Sequence, residues 1–389
     1  MRFCKIIKNV FSRESLIMSQ HRRSVQALRG IAVLGVVAFH AMLVEAKYSG
    51  GDRFLSDFFR LGQSGVDLFF VISGFVIVSA TKGRFGKRRE PLRFLWSRLT
   101  RIYPVYWFYF FLTLSFFFIK PEWVNASQGR QQDLALSFFL LPGDRLPLVM
   151  VAWSLVHELW FYLVFTALLM LNERLLLPAL LLWSVVVATA CIFTDVADLS
   201  SGWRIVLHPY TLEFITGAWV FIFVSGDRGK FFSSRFIFPV TGAMWVLGFF
   251  LVGLFDVLKE ASLLRAGSMS ALYALLLLTL TALEREKNFR VPEFLCRVGD
   301  ASYTIYLSHV LILSAVGRLW LITDRDRYGL FDNLLACLIM LSATLAYGQA
   351  AYRWVERPLL EGSRRLRARW FEKNARASFH PQTGPDTLH

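Results

Sequence analysis

The chain has 389 residues, 55% of them hydrophobic and 37 of them Phe, and carries a formal net charge of +15. A mean hydropathy of +0.47 is too high, and the charge content too low, for an ordinary soluble domain. The basic residues are scattered over separate loops, which argues against a nucleic-acid partner.

In chain order, residues 1–24 (MRFCKIIKNVFSRESLIMSQHRRS) hold no long apolar run and no small-residue cleavage site. They read as a basic cytoplasmic leader, not a secretory signal. About ten apolar stretches of spanning length follow, near 25–45, 63–81, 102–119, 150–171, 175–193, 209–225, 236–254, 264–283, 301–321 and 331–352. The longest connection between them is 120–149. Inside it, DLALSFFLLPG is apolar but too short to cross, so it reads as an interfacial or re-entrant segment ended by Pro142 and Gly143. The basic segment 359–389 is expected to lie on the membrane surface and run into disorder. The expected fold class is all-α: a polytopic membrane bundle of about ten transmembrane helices, with one membrane domain over 25–358.

Orientation follows from the basic residues. With the N-terminus inside, the cytoplasmic segments hold about 30 of the 43 Lys and Arg, against about 11 in the opposite loops. Both termini are therefore expected in the cytoplasm, and the net charge is a topology signal. Cys4 and Cys296 fall on the inner side and Cys191 and Cys337 within spans, so no disulfide framework is implied. No internal repeat is visible.

Polar residues inside the spans carry the functional signal, because placing an ionisable group there costs several kcal/mol. Arg29 and His40 bracket the first apolar run. Eleven residues at about 100° each put both side chains on one helix face, about 16 Å apart along the axis. A snorkelling anchor and a packing histidine are the bland alternatives. Asp67, in GVDLFFVISGF, is a candidate partner that orients a buried base, or an interfacial carboxylate; Gly65 and Gly74 allow close helix packing. Arg98 and Arg101, in RFLWSRLTRIYPVYW, are three apart and share a helix face, and Arg suits phosphate. Glu158, in WSLVHELWFY, is expected at the depth of His40, where a carboxylate can pair with the imidazole and raise its basicity. His157 points about 100° away and is weaker. Tyr303, Tyr306 and His309, in ASYTIYLSH, form a polar stripe that could line a site. Glu356, in WVERP, is expected to pair with an arginine at the inner end of the last span.

These segments, QALRGIAVLGVVAFH, GVDLFFVISGF, RFLWSRLTRIYPVYW, WSLVHELWFY, ASYTIYLSH and WVERP, together resemble the acyltransferase 3 family of multi-helix bacterial membrane O-acyltransferases. They occur in the family's order over about residues 24–360. The resemblance implies transfer of an acyl group, usually acetyl, from cytoplasmic acyl-CoA to a hydroxyl of an extracytoplasmic or lipid-linked glycan. It implies a multi-pass protein of the bacterial inner membrane. It assigns Arg29 and His40 to the family's arginine–histidine signature, Arg98 and Arg101 to its paired-arginine loop, and Glu158 to its buried glutamate. On this reading His40, Glu158 and Asp67 are the candidate catalytic groups and Arg29, Arg98 and Arg101 bind the donor. Tyr303, Tyr306 and His309 line the site. No metal and no permanently bound cofactor is expected. His40 acts either as general base or as acyl carrier. A transporter or flippase would also use buried ionisable groups, but the missing repeat speaks against it.

Overall fold

Inside lipid, a backbone must satisfy its own hydrogen bonds, so apolar runs of spanning length fold as helices. The computed structural model describes residues 2–49, 53–124, 131–226, 234–286, 291–323 and 329–377, and among these it contains helices and no strand. Ten of the described helical stretches are long and apolar enough to cross a membrane, running from Arg23–Tyr48 to Leu330–Arg367. The all-α, ten-span expectation holds.

The elements are α1 Arg2–Tyr48, α2 Gly65–Thr81, α3 Glu90–Ile119, α4 Leu134–Phe139, α5 Trp153–Leu168, α6 Leu176–Phe193, α7 Ser201–Val206, α8 Tyr210–Ser225, α9 Ser234–Leu254, α10 Leu263–Arg285, α11 Glu293–Asp300, α12 Ser302–Thr323, α13 Leu330–Ala351 and α14 Arg357–Ala377. The leader and the first span share one unbroken helix. The third span begins earlier than its apolar run, because Pro91 suits the first turn of a helix. Arg98 and Arg101 therefore sit on α3 itself. The RRLRAR stretch is carried on α14, and residues 378–389 lie outside the described residues.

Helices without a hydrophobic force between them associate where small residues let backbones touch. A methyl group at Gly74 would strike the Phe214 carbonyl, and one at Gly65 the Ala32 carbonyl. These two contacts fix α2 against α8 and against α1. α1 packs along α11 and α12, and α12 pairs with α13.

The connection between α3 and α5 folds back into the bundle. The six-residue α4 leaves C-terminal carbonyls that lipid cannot satisfy. Three side chains of α3 reach them: the Tyr106 hydroxyl donates to Ser137, Trp107 Nε1 to Phe138 at 3.1 Å, and the Tyr103 hydroxyl to Phe139 at 2.7 Å. Leu140, with φ 52°, then turns the chain. The re-entrant reading of this segment fits that arrangement. It also means that α5 begins deep in the bundle, which decides the depth of Glu158.

Candidate active site

α1 and α12 run side by side, and each contributes one histidine. His309 Nε2 stands 3.2 Å from His40 Nδ1, and the ring centroids are 4.7 Å apart in an edge-to-face arrangement. His309 is fully buried, whereas His40 is half-buried. Two carbonyl oxygens set the protons. His309 Nδ1 is 2.6 Å from the Tyr306 carbonyl, and His40 Nδ1 is 3.0 Å from the Val36 carbonyl. A carbonyl only accepts, so each Nδ1 carries the hydrogen. In the neutral pair, His309 Nε2 is then a lone-pair acceptor for His40 Nδ1–H. What remains is His40 Nε2, with a lone pair and no hydrogen-bond partner among the described residues. A base so arranged can take a proton, and the imidazolium formed keeps an acceptor at its back.

Toward the other end of α1 lies a cluster of charges. Arg29 donates from Nε and Nη2 to the Ser302 hydroxyl at 3.1 and 3.0 Å, and its guanidinium lies 5.9 Å from the Phe69 ring. Arg101, Glu158 and Glu356 are all within electrostatic range of it. Arg98 stacks at 5.2 Å from Phe94 and 5.7 Å from Tyr162, and among the described residues its Nε has no hydrogen-bond partner. Three guanidinium groups thus face two carboxylates, with donors to spare. That is the composition of a pocket for a polyanion such as a phosphate group.

Glu158 belongs to this charged end. Its carboxylate accepts from the Tyr162 hydroxyl and from Ser73 Oγ at 3.3 Å, and among the described residues it has no hydrogen bond to His40. The sequence places it beside the imidazole because it counts depth from the start of the apolar run. In the structure Ser154, at the head of α5, already meets the Tyr306 hydroxyl at 2.8 Å. One further turn of α5 carries Glu158 past the histidine level toward Arg29. Glu356 accepts from the Thr304 hydroxyl and lies within electrostatic range of Arg101 and Arg29, rather than in contact with one arginine.

A family model described as an acyltransferase domain matches residues 22–353. The chain belongs to that family. It is a membrane O-acyltransferase. Among curated relatives it is 30% identical to the exopolysaccharide production protein ExoZ of Rhizobium meliloti, over 80% of this chain and 92% of that protein. It is 24% identical to the peptidoglycan O-acetyltransferase OatA of Listeria monocytogenes, over 86% of this chain and 55% of that protein. For the O-acetyltransferase OatA of Staphylococcus aureus the figures are 23%, 89% and 58%. The chain thus spans somewhat more than half the length of the two OatA proteins. No solved structure matches.

In this acyltransferase Asp67 does not approach His40. Both of its oxygens are held by Arg265 of α10, from Nε at 2.9 Å and Nη2 at 2.8 Å, and the two side chains are 0% and 2% exposed. The expected orienting carboxylate is instead taken up by this ion pair. The third donor of Arg265 goes to the Leu258 carbonyl at 2.9 Å, and its guanidinium lies 5.3 Å from the Tyr210 ring. Glu213, fully buried on α8, faces the same pair electrostatically. His157 turns to this side as well, 4.4 Å from the His208 ring.

Of the expected tyrosine–histidine stripe, only His309 reaches His40. The Tyr303 hydroxyl donates to the Ile102 carbonyl at 2.9 Å, and the Tyr306 hydroxyl to the Val151 carbonyl at 2.9 Å. Both tyrosines pin α12 to its neighbours. Arg265 and Glu213 escape the sequence reading, although each interrupts an apolar run and so carries the signal of a functional or paired charge. Ser302, Ser73 and Tyr162 give no such signal, because a hydroxyl inside a span is ordinary.

Proposed function

We propose that the acyltransferase moves an acyl group of the acetyl type from cytoplasmic acyl-CoA to a hydroxyl of an extracytoplasmic or lipid-linked glycan, with His40 as the base. The observation that carries this reading is the bare His40 Nε2, backed by His309, with Arg29 about three turns away on the same helix and Arg98 and Arg101 beside it on α3. Basic-loop asymmetry supports an orientation with the Arg29 end in the cytoplasm of the inner membrane. Arg29, Arg98 and Arg101 then meet the phosphates of the donor. Its long arm runs up the face of α1 for about 16 Å, bringing the thioester to His40.

His40 Nε2 takes the proton of the acceptor hydroxyl as that oxygen adds to the thioester carbonyl. The C–S bond breaks, the ester forms, and the departing thiolate takes the proton back from the imidazolium. His309 holds the ring and accepts from Nδ1 throughout. Nothing in this route needs a resident cofactor. The glycan acceptor is supported by the relatives' names, one for exopolysaccharide production and one for peptidoglycan O-acetylation.

The test is donor turnover. Purified protein in detergent, given acetyl-CoA and envelope glycan, should release free CoA and yield ester-modified glycan, detected by mass spectrometry. Folded wild-type protein that consumes no acyl-CoA under these conditions would overturn the reading.

A further inference from the structure

At the end of the bundle opposite the arginine cluster, α12 lines a cavity of about 360 Å³ between itself, the end of α3 and the segment leading into α5. Leu307, Leu311, Ser314 and Arg318 follow one another at helical spacing along this wall. They face away from His309, so the cavity is separate from the base site. Its lining is apolar almost throughout, and its rim residues Leu319 and Ile322 are 63% and 66% exposed. Both lie on the outward side of a helix long and apolar enough to cross a membrane, a position that suits an opening toward lipid.

The mouth is cationic. Arg318 Cζ lies 4.9 Å and Lys120 Nζ 5.1 Å from the ring centroid of Trp123, which itself lines the cavity. Arg318 spends one N–H on the Trp123 carbonyl at 3.4 Å. Among the described residues, no carboxylate lies within salt-bridge distance of either cation.

We propose that this cavity binds the tail of a single-chain phosphate lipid, a polyprenyl phosphate carrying the acceptor saccharide, with its phosphate held by Lys120 and Arg318. Two arguments fix the class. Two cations beside an indole, with no carboxylate partner among the described residues, at the end of an apolar cavity call for an anionic amphiphile. The volume, at the low end of pockets that hold one small ligand, matches a segment of one chain, which suits a single-chain lipid. The inference rests on the glycan-acceptor reading. It adds that the acceptor arrives by lateral diffusion, held on one face of α12 while its saccharide reaches over to the His40 face.

Binding is measured apart from catalysis, by native mass spectrometry of the full chain in detergent. The probes are a polyprenyl phosphate, the matching neutral polyprenol, a phosphatidylglycerol and inorganic phosphate. Expected are one polyprenyl phosphate per chain, polyprenol at least about 10-fold weaker, and no retention of inorganic phosphate. Lys120→Ala with Arg318→Ala, both at the mouth, should weaken the phosphate lipid about 10- to 100-fold and leave polyprenol unchanged. Ala315→Phe, which fills the cavity, should weaken both, with folding checked by size exclusion. His40→Gln should bind normally. Equal binding of phosphatidylglycerol, or undiminished binding by the double variant, would overturn the proposal. Binding without any acyl-CoA turnover by the wild type would leave the lipid site standing and remove the acyl-transfer reading; turnover without binding would do the reverse.

Discussion

His309 of α12 accepts a hydrogen bond from His40 of α1 across 3.2 Å, although 269 positions separate them in the chain. The contact fixes which nitrogen of His40 is free, and it gives the protonated ring an uncharged acceptor. In that respect His309 does for His40 what a carboxylate does for the histidine of a hydrolase triad, without adding a buried negative charge.

His40→Gln should abolish acyl transfer, since loss of a general base typically removes about 10²–10⁴ in rate. His309→Ala should cost less, about 10- to 100-fold, as is usual for a group that orients an imidazole. His309→Gln keeps an amide oxygen able to accept from His40 and should recover part of the loss. Turnover per folded molecule, normalised by size exclusion, checks all three. Equal activity of the Ala and Gln variants would show that His309 only fills space.

Arg98→Ala with Arg101→Ala removes two of the three cations that face the proposed donor. The Michaelis constant for acyl-CoA should rise more than the maximal rate falls, because phosphate contacts bind substrate and transition state alike. Steady-state kinetics with acetyl-CoA read this directly. An unchanged constant would reduce both arginines to topology determinants.

Glu158→Gln distinguishes two sites of action. At the arginine end, its neutralisation should change the Michaelis constant for acyl-CoA and the sensitivity of binding to salt. The pH dependence of the maximal rate should stay where it is, because His40 is backed by His309. A displaced pH profile would tie Glu158 to the base instead.

Asp67→Asn leaves Arg265 as a buried charge without its counter-ion. Breaking such a pair costs about 3–5 kcal/mol, so thermal unfolding in detergent should move sharply downward. The molecules that remain folded should turn over at close to the wild-type rate. A stable but inactive Asp67→Asn protein would return Asp67 to the catalytic group.

Reporter fusions test the orientation. Those placed after Lys47, Lys120 and Asp256 should read external, and those after Arg88 and Glu286 internal. An external reading after Glu361 would sink the arrangement with both termini inside.

The spans were legible because length and apolarity alone decide them, and Arg29 and His40 stood out because ionisable groups are rare in such runs. Partnership was harder to read. Nothing local to His40 names His309, since the contact exists only once α1 and α12 lie side by side. Glu158 pairs with Ser73 and Tyr162 rather than His40 for a topological reason: α4 and the turn at Leu140 are drawn into the bundle by Tyr103, Tyr106 and Trp107, so α5 starts among buried side chains. Asp67 looked available because its counter-ion, Arg265, comes from a helix almost two hundred residues away.

One turn of π-helix, Tyr352–Glu356, joins α13 to α14 and delivers the buried Glu356 to Thr304. Such a turn holds one residue more than the α-helical repeat. The turn takes up that residue within about one full rotation, so α14 leaves α13 on nearly the heading an unbroken α-helix would give. Deleting one residue of the turn should therefore restore a continuous helix with the register of α14 almost unchanged, whereas the same deletion in the body of α13 would rotate everything downstream by about 100°.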